Sequence, residues 1–144
     1  MNWILHHSDK MEFHTHLDAV LDPIIPDIKD LKWLATDLEC NGSPIFETLP
    51  INYDHDYFIL SPYQFAELVA ADMQIIWGVF LGIPKHLDVT VDPNNLPYAE
   101  SEAVWEEGNI QHENAVVEII CFDSSYTIVK FRDQDMSNRF KAYF

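Results

Sequence analysis

The stretch SPYQFAELVAADMQIIWGVFLGI, residues 61–83, decides the fold. Ser61 is a helix N-cap, Pro62 suits the first helical position, and Gln64 can reach back to close a capping box. A helix is therefore predicted from residue 62 to about residue 72, with Phe65, Leu68 and Val69 turned inward. Residues 74–83 follow as a nearly continuous apolar run. A run of that length is too short to cross a membrane as a helix. It reads as a strand buried on both faces, in the middle of a sheet. Gly78 and Gly82 mark bulges or close packing.

Upstream, a first strand is expected at residues 2–6. Asp9 and Glu12 then resemble a capping box. Phe13, Leu17, Val20, Leu21 and Ile24 recur at helical spacing, and Pro23 and Pro26 are expected to end that helix. A connector with Ile28 and Leu31 leads to a strand at 32–39. Asn41-Gly42-Ser43-Pro44 is a turn signal, followed by short strands at 45–48 and 57–60. Downstream, residues 86–96 form a turn-rich excursion with one short strand at 89–91. Residues 113–123 and 126–132 form a hairpin around Ser124-Ser125. Asp133 or Asp135 caps a last helix whose Met136, Phe140 and Phe144 face the core. No repeat or linker divides the chain. The expectation is one α+β domain over residues 1–144, with a mainly antiparallel sheet, two main helices and a short C-terminal helix.

The charge is one-sided. Residues 33–129 carry sixteen acids and one base, Lys85, and so supply nearly all of the formal net charge of -16. Such a field works against compaction, so its use lies outside the chain: it repels nucleic acid and anionic membrane and attracts a basic partner. The acids are interleaved with Trp, Phe, Ile and Val, and 13% of the residues are aromatic. A disordered acidic tail lacks that composition. The N-terminus has no basic start followed by a long apolar region, so no signal peptide and a cytoplasmic location are expected. Cys40 and Cys121 are then expected to be reduced thiols.

Four constellations bear on chemistry. His6, His7, His14 and His16 lie close in sequence, but His14 and His16 are two apart where a helical metal pair needs four. Asp54-His55-Asp56 puts an imidazole between carboxylates with no nucleophile nearby, so the two aspartates matter more as part of an anionic face. The cysteines sit in the most base-poor region, which disfavours a thiolate. Glu100, Glu102, Glu106 and Glu107 surround Trp105 and lack the spacing of a calcium loop. Acids around a tryptophan suit a protein interface. No P-loop, dinucleotide fingerprint, GxSxG or HExxH occurs, and the bases are too few for a nucleic-acid footprint.

The apolar strand QIIWGVFLGIP after its capped helix, and the closing EIICFDSSYTIVKFRDQDMSNRF, together with size and acidity, resemble immunity proteins of bacterial polymorphic-toxin and contact-dependent growth-inhibition systems. The resemblance implies a cytoplasmic inhibitor without enzymatic activity or cofactor. Its partner would be the C-terminal toxin domain of a cognate effector, often a basic nuclease, and not nucleic acid or membrane. It supplies no binding residues to carry over. Charge and position alone select Asp54, Asp56, Tyr57, Tyr98, Glu100, Glu102, Trp105, Glu106 and Glu107 as the partner-binding set. A small metal-dependent hydrolase built on His14, His16 and nearby carboxylates, and an acidic adaptor or structural protein, are the competing readings.

Overall fold

The computed structural model describes residues 2–5, 17–40, 55–71 and 74–144. Six strands form one antiparallel sheet in the order β1-β6-β5-β4-β2-β3: β1 is Asn2–Leu5, β2 Lys32–Cys40, β3 Tyr57–Leu60, β4 Ile75–Ile83, β5 Val117–Phe122 and β6 Tyr126–Phe131. The α+β class is as the sequence implies, and β4 lies in the middle, as its apolar run requires.

Strand alternation divides the sheet into two faces. One carries Trp33, Ala35, Phe58, Leu60, Phe80, Val117, Ile119, Cys121, Val129 and Phe131. Among the described residues, four helices cover it: α1 (Leu17–Leu21), α2 (Ile25–Ile28), α3 (Pro62–Ala70) and α4 (Gln134–Tyr143). The Trp33 ring stacks on Phe65 of α3 at 3.8 Å between centroids. The other face carries Leu34, Val79, Leu81, Ile83, Ile120 and Ile128. Among the described residues, no helix longer than one turn covers it. Leu87, Val89, Val91, Ala99, Val104, Ile110 and Ala115, from the long irregular segment between β4 and β5, pack there instead.

Local signals explain most boundaries. The capping box of α3 is complete: Gln64 N donates to Ser61 Oγ at 3.1 Å and Ser61 N donates to Gln64 Oε1 at 2.9 Å. Asp133 caps α4 by accepting from Met136 N at 2.8 Å. Met136 and Phe140 are buried, whereas Phe144 is exposed and sets its ring 5.0 Å from that of Phe140. Gly82 is a close-packing glycine. A Cβ there would lie 2.7 Å from Val117 and 2.9 Å from both Leu31 and Trp33. No helix among the described residues is long and apolar enough to cross a membrane.

The first helix ends at Leu21, just before the segment that holds Pro23, as its prolines imply. Short helical segments then restart, a 3-10 turn at Asp22–Ile24 and α2, with Pro23 and Pro26 in their first turns, where a missing N–H is harmless. Two other expectations need correction. Residues 89–91 form no strand, because Val89 and Val91 serve as apolar plugs on the second face. The hairpin loop holds three residues, Asp123 to Ser125, and is centred on Ser124, with Phe122 opposite Tyr126; Asp123 and Ser124 have positive φ (49° and 56°), and Ser125 N donates to Phe122 O at 2.9 Å. The expected strand at 45–48, and the region of Asp9, Glu12 and Phe13, lie outside the described residues.

Candidate functional site

Residues 97–111 run as a strap across the second face of the sheet, and three sets of bonds position it. At β2, Thr36 Oγ1 donates to Pro97 O at 2.8 Å and Asp37 Oδ2 accepts from Ala99 N at 3.0 Å. Asp37 reaches that amide because β2 bulges there: φ is 53° and the register with β4 shifts just after Thr36. A bulge re-aims a side chain in this way.

In the middle, Ser101 caps a 3-10 turn at Glu102–Trp105, accepting from Ala103 N at 3.3 Å. Val104 of that turn is fully buried in the second apolar cluster.

At β5 and β6, a buried charge pair holds the strap from below. Glu118 and Lys130 face each other across the hairpin, and Lys130 Nζ lies 3.8 Å from Glu118 Oε1. Lys130 spends its hydrogen bonds on the strap, donating to Ala103 O at 3.2 Å and Asn109 O at 2.8 Å. Glu118 Oε2 accepts from Gln111 N at 3.2 Å. Burial pushes the Glu118 carboxyl above its ordinary value, against the opposing pull of Lys130 and the Gln111 amide. Burial likewise pulls Lys130 down, while Glu118, Glu106 and Glu107 act to keep it charged.

A four-ring aromatic platform adjoins the strap. Phe122 and Tyr126 stack at 4.9 Å, Trp77 meets Phe122 edge-on at 4.8 Å, and Trp105 lies 5.9 Å from both Phe122 and Tyr126. Trp105 is nonetheless 50% exposed. Its ring is held from one side and open to solvent on the other.

The structure gathers much of the expected set here. Tyr98, Glu100, Glu102, Trp105, Glu106 and Glu107 all belong to the strap, and their side chains are exposed. Tyr57, opposite Thr36 on β3, packs partly against the same cluster. Asp56 stands apart, in an open hollow of about 340 Å³ lined by Asp37, Leu38, Glu39, His55 and Phe58. Asp54, His6, His7, His14 and His16 lie outside the described residues. Among the described residues, no group of three His, Cys, Asp or Glu side chains could hold a metal ion.

Other titratable groups near the strap have structural work. His112 Nε2 bonds Thr90 O at 2.9 Å and its Nδ1 accepts from Asn114 N at 3.0 Å, so both ring nitrogens are engaged. No disulfide joins Cys40 and Cys121, and burial pushes the Cys121 thiol far above its ordinary value.

Sequence reasoning missed Asp37, Glu118 and Lys130. The last two were detectable in principle as opposite charges in one hairpin, but only with the turn correctly centred. Comparison of the chain with protein-family models, with curated proteins and with solved structures gave no match.

Proposed function

We propose that this chain is an immunity-type inhibitor that captures a basic, nuclease-type toxin domain through the strap. The observation that carries this reading is the exposed set Glu100, Glu102, Glu106 and Glu107 around half-exposed Trp105, on a segment pinned to the sheet by buried Lys130. A nuclease surface is cationic because its substrate is polyanionic. Fixed carboxylates can stand where phosphates would lie, and complementary charge speeds encounter to as much as about 10⁸–10⁹ M⁻¹s⁻¹ at low salt. Speed matters when the toxin must be bound before it cuts. Pinning the strap beforehand spares the ordering cost that a flexible acidic loop would meet on binding.

The test begins with the gene next to this one. Where it encodes a large secreted protein with a variable C-terminal domain, that domain is purified and mixed with this chain. A stoichiometric complex on gel filtration at physiological salt, with loss of the domain's nuclease activity, is the expected result. Separate elution of the two proteins sinks the proposal.

A further inference from the structure

We propose that Glu102 and Trp105 form a receptor for a guanidinium group: an arginine side chain of a basic protein partner stacks on the Trp105 ring and pairs with the Glu102 carboxylate. This inference rests on the strap being the capture surface and specifies the chemistry it recognises.

The geometry follows from the turn type. Residues Glu102–Trp105 form a 3-10 turn. With three residues per turn, positions i and i+3 of a 3-10 turn share one side, which puts Glu102 and Trp105 on one side of this turn, and both residues are exposed. Val104 in the same turn is fully buried, and the Ala103 carbonyl accepts from both Lys130 Nζ and Asn109 Nδ2 at 3.2 Å. The turn therefore cannot roll, and Glu102 and Trp105 keep their outward direction. Phe122 and Tyr126 hold the indole in place while half of its surface stays in solvent.

Charge selects the occupant. Glu100, Glu106 and Glu107 flank the pair, and all three are exposed. They exclude an anion, and covering them with an apolar segment would strip their solvation without return. A cation over a tryptophan face is attracted by the ring quadrupole. Guanidinium suits this pair better than ammonium. It is planar and weakly hydrated, can stack on the indole, and presents a fork of N–H donors to a carboxylate at the same time.

Hexa-arginine and hexa-lysine peptides, titrated into the whole protein at physiological ionic strength, probe the site through the indole N–H resonance of Trp105. Hexa-arginine is expected to shift that resonance and to bind more tightly than hexa-lysine. Trp105→Leu and Glu102→Gln should each weaken hexa-arginine about two- to five-fold, the range of an exposed cation–π contact, and remove the arginine preference. Tyr63→Leu, which alters an exposed ring of α3 over the opposite face, should change nothing. Glu102 is exposed, so its amide variant leaves the core intact even if the tryptophan variant is perturbed. Equal affinity for the two peptides, unaffected by either substitution, overturns the receptor while leaving toxin capture to its own complex-formation test. A preserved arginine preference with no toxin complex overturns the toxin reading alone.

Discussion

Lys130 and Glu118 show how one buried pair can serve position more than stability. Both side chains are essentially inaccessible, and desolvation is the largest influence on each. Two charges taken out of water recover little net energy even when paired, but removing one partner strands the other. Lys130→Met is expected to lower unfolding free energy by about 3–5 kcal/mol. Lys130→Met combined with Glu118→Leu should recover most of that loss in urea titrations, yet still loosen residues 103–111, seen as faster amide exchange there. A double variant as unstable as the single one would show that the pair itself stabilises the fold. The pH dependence has a definite sign. The folded carboxyl of Glu118 binds its proton more tightly than the unfolded one, so its contribution is fully present below the ordinary value of 4.5 and is lost as pH rises through the higher folded value. Wild type should therefore show a more negative slope of stability against pH above 4.5 than Glu118→Gln does.

The β5–β6 hairpin explains why that pair escaped detection in the sequence. A turn centred on Ser124-Ser125 would place Glu118 opposite Phe131 and bury an unpaired carboxylate. The observed loop has three residues and is centred on Ser124, which shifts the pairing by one residue, so Glu118 faces Lys130. A one-residue slip exchanges the faces of every side chain in a strand. Neither Asp123 nor Ser124 is a glycine, so nothing local marks the positive-φ positions as Asn-Gly would. Ser124→Gly removes the left-handed penalty at φ 56° and should stabilise by about 1 kcal/mol, read as a higher urea midpoint at constant slope. Gly82→Ala should do the reverse. Its Cβ would meet Val117, Leu31 and Trp33 at 2.7–2.9 Å, and overpacking of this kind costs about 1–3 kcal/mol. An unchanged midpoint for Gly82→Ala would mean that the sheet and helix layer relax there. By contrast, the start of α3 was legible, because Ser61, Pro62 and Gln64 satisfy it with residues adjacent in sequence, while its end falls at Ala70, short of residue 72. The 89–91 segment misled, because two valines spaced by two suit a strand and an apolar plug equally.

Across the whole molecule, charge and topology act together. The strap and α3 lie on opposite faces of the sheet, so acids placed on each can be compared in one protein. Glu100→Gln with Glu102→Gln should slow association with the toxin domain several-fold at low salt, while Glu67→Gln on α3 changes the rate little. The difference should fade toward 1 M salt, where the Debye length falls to about 3 Å. Equal effects from both faces in stopped-flow measurements would reduce the acidity to a general field with no directed surface. The sequence by itself determined the α+β class, the central apolar strand, the capped helix and the excess of acids, because periodicity, caps and composition are local properties. Tertiary structure alone decided which acids share a surface with Trp105, that Phe122, Tyr126 and Trp77 form its platform, and that Asp37 and Lys130 pin the strap. Those relations join residues on separate strands and loops, and their partners are fixed by sheet order and register, which no local pattern encodes.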